Sequence, residues 1–218
     1  FTLLSVGVFG FFVSTDLFTM FMFYEVALIP MYLLIGVWGS GRKEYAAMKL
    51  TLMLMGGSAF LLIGILGIFY GAGGETMNLL EIAKLHIPHE MQRIFFPLIF
   101  LGFGVLGALF PFHTWSPDGH ASAPTAVSML HAGVLMKLGG YGCFRVAMYL
   151  MPEGAAMWGD VFLILTTISV VYGAFSAVVQ TDLKYINAYS SVSHCGLVLF
   201  ALLMMTRTSC TAVSYTHL

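Results

Sequence analysis

Long apolar runs separated by short polar segments extend along the whole chain. A membrane-spanning helix needs about 20 mainly apolar residues, and every run except the first reaches or approaches that length. The pattern therefore predicts an all-α polytopic membrane protein, a bundle of about seven transmembrane helices with the first one partial. The predicted segments are Phe1–Ser14, Leu17–Trp38, Tyr45–Tyr70, Ile94–Trp115, Ala123–Leu150, Val161–Val179 and Ala188–Met205.

One predicted span is discontinuous. Ile94–Trp115 contains three glycines and then Pro111, and a proline removes a backbone donor and breaks a helix. Carbonyl groups released at membrane depth are tolerated only where protein or water satisfies them. Because broken helices often line the ion or substrate pathway of transporters, we expect function to concentrate around Pro111 and the span that follows it.

Composition narrows the class of protein further. Only 9% of the 218 residues are charged and 59% are hydrophobic, whereas soluble domains carry roughly 25% charged residues. The lipid bilayer is thus one partner, and a net charge of −1 gives no reason to expect nucleic acid. The three cysteines lack C-x-x-C spacing, and no phosphate, flavin, nicotinamide or metal motif occurs. We therefore predict no cofactor-binding site and no metal site in this chain.

Two ionisable residues lie near the middle of predicted spans. About 13 residues separate Lys137 from either end of its span, near 20 Å, so its side chain cannot extend along the helix to water. A charged residue at that depth is functional by default, and a buried lysine changes its protonation state readily. Glu25 is similarly central: it is either a counter-charge for a lysine or a neutral acid hydrogen-bonded within the bundle.

Histidines near these residues are further candidates. His131 precedes Lys137 by six residues, about 9 Å along an α-helix and about 120° around it, so the two share no face although water can link them. His113 lies just beyond the break and His194 in the last span. A histidine titrates near neutral pH, but each of these can also simply pack or form a hydrogen bond. Haem ligation by His131 and His194 is disfavoured, because haem bundles carry several histidines at matched depth.

These residues alone predict a bundle that translocates protons or another cation, and three longer segments point to a family. They resemble the antiporter-like subunits of respiratory complex I, and the run Glu25–Tyr32 is most similar to the M subunit, called subunit 4 in mitochondria. The three segments are FYEVALIPMYLLIGVWG (Phe23–Gly39), PFHTWSPDGHASAPTAVSMLHAGVLMKLGGYG (Pro111–Gly142) and QTDLKYINAYSSVSHCGLV (Gln180–Val198).

The resemblance implies a fragment of a fourteen-helix fold, holding roughly helices four to ten. Residues 1–211 would form a partial antiporter-like transmembrane domain, truncated at both ends. Residues 212–218 break the pattern and resemble translated sequencing-adapter DNA, so we interpret them as an artefact. The family topology would place the turn Ser116–Ser122 in the cytoplasm or matrix.

The resemblance also implies a function. The chain would be a proton-translocating membrane subunit of NADH:quinone oxidoreductase, a translocase whose NADH, FMN, iron–sulfur clusters and quinone are bound by other subunits. Its partners would be the other membrane subunits, in the bacterial plasma membrane or, if organellar, the inner mitochondrial membrane. In the family, the glutamate matching Glu25 pairs with a lysine on the broken helix, the lysine matching Lys137 carries protons onward, and Lys49 matches a family lysine. Asp118 is a secondary candidate beside His113 and His194.

This chain departs from the family pattern at one position that matters for proton translocation. The broken-helix lysine lies five residues before the proline of Pro-x-His-x-Trp, and this chain has Leu106 there, with no ionisable residue between Arg93 and His113. His131 is the best substitute, although it can instead bond the carbonyls freed around Pro111. Alternative functions are a subunit of a multi-subunit cation/proton antiporter or membrane-bound hydrogenase, or a structural spacer that does not pump.

Overall fold

Helices dominate the part of the chain that the computed structural model describes, residues 1–205. The predicted domain boundary at residue 211 and the artefact at 212–218 lie outside the described residues. Within them, one isolated β-bridge joins Asp16 to Asn78. The helices in chain order are α1 (Thr2–Val13), α2 (Leu17–Trp38), α3 (Lys43–Gly71), α4 (Leu79–Ile82), α5 (His89–Leu106), α6 (Trp115–Ser122), α7 (Thr125–Leu130), a π-helical turn (His131–Leu135), α8 (Met136–Gly142), a second π-helical turn (Cys143–Met148), α9 (Pro152–Val179) and α10 (Leu183–Leu203).

Four of the described helices, α2, α3, α9 and α10, are long and apolar enough to cross a membrane, and α1 is a shorter apolar helix. The prediction of an all-α polytopic membrane protein is confirmed. Helix α2 has the predicted bounds because the carboxylate of Asp16 accepts a hydrogen bond from the backbone N–H of Thr19. Such a side-chain cap satisfies one of the donors that a helix start leaves free.

The predicted starts of the last two spans were wrong. Helix α9 begins at Pro152 rather than Val161, and α10 begins at Leu183 rather than Ala188. Proline is excluded from helix interiors, but it is well tolerated at the first helical position, as at Pro152, because its missing N–H is unpaired there in any case. Asp182 caps α10 by accepting a hydrogen bond from the N–H of Lys184, which moves that start towards the polar loop.

The break in the fourth predicted span is confirmed, although the helix ends before Pro111. Helix α5 stops at Leu106, residues 107–114 are non-helical, and α6 restarts at Trp115. The indole N–H of Trp115 donates to the carbonyl of Val105 at 3.0 Å, and the N–H of Leu109 donates to Gly104 at 2.8 Å. Protein groups therefore satisfy carbonyls that the break releases, as burial in a membrane requires.

A second interruption was missed. The predicted span Ala123–Leu150 is two short α-helices interleaved with two π-helical turns, so Lys137 lies in α8 between them. The 120° separation predicted between His131 and Lys137 assumed α-helical spacing and does not apply, because the first π turn starts at His131. Single π turns inside α-helices occur frequently at functional sites.

Two glycines of this interrupted span have different surroundings, one closely packed and one open. A Cβ atom at Gly139 would lie 2.5 Å from the backbone N of Gly107 and 2.6 Å from the carbonyl O of Phe103, whereas a Cβ atom at Gly133 would meet nothing within 4 Å. Backbone cannot swing aside as a flexible side chain can. Helix α8 therefore contacts the end of α5 through a position where only glycine fits.

We expect Gly139→Ala to destabilise the bundle by about 1–3 kcal/mol, the usual cost of overpacking. The midpoint of thermal unfolding of the detergent-solubilised protein measures the effect. Gly133→Ala, six residues away in the same span, is the matched control and should leave the midpoint unchanged. Equal midpoints for the two variants would contradict the close approach of α8 to α5.

Candidate functional site

An ion pair joins the start of α3 to the helix that follows the break. Lys49 Nζ lies 2.6 Å from Asp118 Oδ2, and the two side chains are 23% and 29% exposed. The ammonium also lies 5.7 Å from the centroid of the Tyr45 ring. Helix α6 can present Asp118 in this way because it packs against α3 on one side and α10 on the other. The residues had been singled out separately in the sequence, and the structure brings them together.

A polar cleft opens beside this pair. Its volume is about 290 Å³, enough for several water molecules. Asp118 belongs to its wall, so water in the cleft reaches one member of the ion pair directly. The polar and charged residues of the wall are Ser40, Arg42, Tyr45, Asp118, Ser122, Asp182 and Tyr185.

A stack of three rings begins next to the ion pair. The ring of His131, which is fully buried, stacks on His120 with centroids 4.2 Å apart and on Trp115 at 5.2 Å. A Cβ atom at Gly119, the neighbour of Asp118, would lie 3.2 Å from Cε1 of His131. The stack thus begins two residues along the chain from Asp118, at His120, and contacts the intervening Gly119 through His131.

The imidazoles of this stack are poorly satisfied. Nδ1 of His120 lies 2.8 Å from the hydroxyl of Ser128, but within the described residues Nε2 of His120 and both ring nitrogens of His131 have no hydrogen-bond partner. The alternative that His131 bonds the carbonyls freed around Pro111 is therefore wrong. Buried polar atoms without partners are costly, and such atoms on titratable rings mark a functional candidate.

Sequence reasoning missed His120. It lies two residues after Asp118 in the same short polar stretch, and that proximity was the available signal. What the sequence could not give was the packing of α6 against the first π turn, which stacks this ring on His131.

The break itself holds a further histidine. His113 is buried, with its ring centroid 5.0 Å from that of Tyr172 and 5.6 Å from that of Phe110. Its Nδ1 has no hydrogen-bond partner in the described part of the chain. His113 is therefore a buried imidazole in the break with one unsatisfied ring nitrogen.

Lys137 lies where the break meets α10. It lines a small cavity of about 10 Å³ together with Gly107 of the break and Cys195 and Leu199 of α10, which is room for about one water molecule. His194, the neighbour of Cys195, is on the exposed face of α10 instead. Lys137 is thus beside the broken helix, as a residue that receives protons from it would be.

Glu25 does not form the predicted ion pair with either lysine. In residues 1–205 no ion pair involves Glu25, and its buried Oε1 has no hydrogen-bond partner. Lys49 takes Asp118 as its counter-charge, and Lys137 is paired with neither carboxylate. Leu106, at the position of the family lysine, is fully buried. No group of three potential metal ligands occurs among the described residues.

A family model described as "NADH:quinone oxidoreductase/Mrp antiporter, TM" matches residues 14–218. The chain belongs to this family. Among its relatives, NAD(P)H-quinone oxidoreductase chain 4 3 of Picosynechococcus sp. is 43% identical over 198 residues, which are 90% of this chain and 36% of the relative. That name agrees with the predicted M-type, or subunit 4, assignment.

Solved structures of this family share the fold. The chain matches respiratory complex I from Thermus thermophilus with bound NADH at a TM-score of 0.86 and 30% identity, over 92% of this chain and 43% of that one. It matches an archaeal respiratory complex, the membrane-bound sulfane sulfur reductase, at a TM-score of 0.83 and 30% identity, over 92% and 41%. The chain therefore spans less than half the length of these relatives, and it is an integral membrane protein with their antiporter-like fold.

Proposed function

We propose that this chain is part of the proton-translocating, chain 4-type membrane subunit of an NADH:quinone oxidoreductase. The family match and the name of the Picosynechococcus relative support this assignment. Electron transfer and its cofactors belong to other subunits, and this subunit responds by moving protons. The observation that carries the proposal is the Lys49–Asp118 ion pair, which lies between a water-accessible cleft and a stack of unsatisfied imidazoles.

The first step takes place at the ion pair. A proton that arrives from the cleft neutralises Asp118, which removes the counter-charge of Lys49. The partly buried ammonium is then less stable, because burial disfavours the charged form when no opposite charge is near. The pair therefore takes up a proton from the cleft at Asp118 and makes the proton of Lys49 available for transfer.

The second step leads from the pair to Lys137. His131 and His120 can accept a proton on nitrogen atoms that are otherwise unpaired, and two rings at 4.2 Å hold one charge at a time because like charges repel. From the stack, water carries the proton past the break to the cavity beside Lys137. Lys137 passes it to the part of the subunit beyond this chain.

Two other functions compete with this proposal. The family also includes Mrp antiporters, and the match to the archaeal sulfane sulfur reductase is as close in identity as that to complex I, so the cation moved can be coupled to a different partner complex. A spacer that does not pump is favoured by Leu106 and by the unpaired carboxylate of Glu25.

Lys49→Met should lower proton translocation while leaving electron transfer available. We expect the initial rate of NADH-driven proton uptake by proteoliposomes to fall by about a hundredfold, the lower end of the range for a positioned proton-transfer group. NADH:quinone activity with an uncoupler present measures electron transfer separately.

Asp118→Asn should reproduce the loss, because it removes the other member of the pair. Lys43→Met is the matched control: Lys43 lies in the same helix but donates to the carbonyl of Val37. Sodium-dependent proton movement in place of NADH-driven movement would favour the antiporter. Unchanged proton movement in both Lys49→Met and Asp118→Asn would favour the spacer.

A further inference from the structure

Three successive carbonyls at the C-terminal end of α6 receive hydrogen bonds from other elements. Lys184 Nζ donates to Ala121 O at 3.2 Å and to Ala123 O at 3.1 Å, and the N–H of Ser40 donates to Ser122 O at 2.8 Å. The last carbonyls of a helix have no partner within it, and a cation there also interacts favourably with the helix dipole. The end of α6 is therefore bonded to α10 and to the loop between α2 and α3.

The position of α6 depends on such bonds more than that of the long helices does. It has eight residues, the break separates it from α5, and extended backbone at Ala123 separates it from α7. At its N-terminal end, Trp115 is bonded to Val105 of α5. At its other end, Lys184 is the cationic donor. Asp118 lies between these two attachments, one turn before Ala121.

We propose that Lys184 is a positioning residue that fixes the end of α6 so that Asp118 faces Lys49. The consequence for proton transfer rests on the function proposed above, whereas the positioning does not. Lys184 suits this task because Asp182 caps α10 by accepting from the Lys184 N–H at 2.9 Å, so the side chain leaves a fixed first turn. Hydrogen bonds from an ammonium are roughly twice as strong as those between neutral groups.

Among the charged groups around the cleft, Lys184 is the donor to the carbonyls of Ala121 and Ala123. Of the described residues of the cleft wall, Arg42 does not bond the α6 carbonyls and Asp182, a carboxylate, has no proton to donate to them, while Lys49 is paired with Asp118. If the ammonium is removed, the carbonyls of Ala121 and Ala123 lose their donor, and of the three hydrogen bonds at this end only the one from Ser40 remains. Helix α6 can then move relative to α3, and the distance between Asp118 and Lys49 is no longer fixed.

A disulfide measures the position of α6 without reference to proton transfer. Ser40 and Ser122 are joined by a backbone hydrogen bond, which keeps their Cα atoms within the separation that a disulfide spans. The double variant Ser40→Cys/Ser122→Cys, in the complete subunit within its complex, is oxidised mildly and the cross-linked fraction is followed with time. Each single-cysteine variant gives the background, because its added cysteine can bridge only to a native one, of which this chain has Cys143, Cys195 and Cys210.

Adding Lys184→Met should slow this cross-link about tenfold, the effect of losing a charge-assisted hydrogen bond. Lys184→Arg keeps a cation with several donors and should restore the rate. Lys43→Met is the matched control: it removes a lysine–carbonyl bond at the end of α2 and should leave the rate unchanged. If Lys184→Met prevents assembly, Lys184→Gln, a neutral donor, replaces it and should give an intermediate rate.

The proposal is overturned if Lys184→Met cross-links at the same rate as the double-cysteine variant that retains Lys184. Where Lys184→Gln replaces Lys184→Met, the same comparison applies to it. Proton uptake should follow the cross-link, falling in Lys184→Met and returning in Lys184→Arg. The two hypotheses fail separately. Normal proton uptake in Lys49→Met would refute the role of the ion pair and leave the cross-linking result standing. An unchanged cross-link in Lys184→Met would refute the positioning role even if Lys49→Met stops proton uptake.

Discussion

Lys137→Met should stop coupled proton translocation while the subunit still assembles. Methionine keeps much of the length of the side chain but cannot carry a proton, and Lys137 lies beside the break at the cavity shared with Gly107 and Cys195. We expect the rate of NADH-driven proton uptake to fall about a hundredfold or more. Proteoliposomes containing the whole complex, with and without an uncoupler, provide the measurement.

A neighbour of Lys137 supplies the control. Met136 lines the same cavity and carries no charge, and Met→Leu conserves volume well enough to cost little stability. Met136→Leu should therefore retain proton uptake if the lysine, and not the packing of the cavity, is responsible. Turnover that remains normal and is still stimulated by an uncoupler in Lys137→Met would remove Lys137 from the route.

The sequence predicted the parts of the fold that depend on local chemistry. Helix α2 has its predicted bounds because Asp16 is a strong N-terminal cap, and the break before α6 was located from Pro111 and the glycines that precede it. Hydrophobic runs of membrane length allow few structures other than helices. For these elements a short stretch of chain contains the whole physical cause.

The pairing of the site residues was mispredicted because it depends on contacts between distant residues. Lys49 and Asp118 are 69 positions apart, and which carboxylate a lysine meets is decided by the packing of α3, α6 and α10. The family pattern pointed to Glu25 for a lysine pair, but this chain has Leu106 where the family has its partner. The π turns around Lys137 likewise have no periodicity in the sequence that distinguishes them from α-helix.

His131→Leu should lower the number of protons translocated per NADH oxidised without destabilising the subunit. Neither ring nitrogen of His131 has a partner in the described residues, so an apolar side chain of similar size removes two unsatisfied buried atoms and leaves no partner behind, a change that is nearly neutral or stabilising. A lower ratio in a fully assembled complex would then reflect lost proton transfer. Thermal unfolding of the same preparation checks the stability.

Leu106→Lys, added to His131→Leu, tests whether His131 substitutes for the missing lysine. Leu106 ends α5 next to Gly107, which lines the cavity of Lys137, so a lysine at position 106 is directly before the next carrier. We expect partial recovery of the ratio. Leu109→Lys in the same background is the matched control, because Leu109 is also fully buried but its side chain lies against Gly104 of α5 and does not line the cavity of Lys137, and it should not restore the ratio.

The pattern of results separates the remaining interpretations of this subunit. A lowered ratio in His131→Leu with recovery by Leu106→Lys means that the imidazole stack replaced the broken-helix lysine. An unchanged ratio in His131→Leu shows that the imidazole stack does not replace the broken-helix lysine. Two cases then remain, and Lys137→Met distinguishes them. If Lys137→Met stops proton uptake, water alone connects the Lys49–Asp118 pair to Lys137. If it does not, the family fold is retained here as a spacer, and the buried imidazoles require a role other than proton transfer.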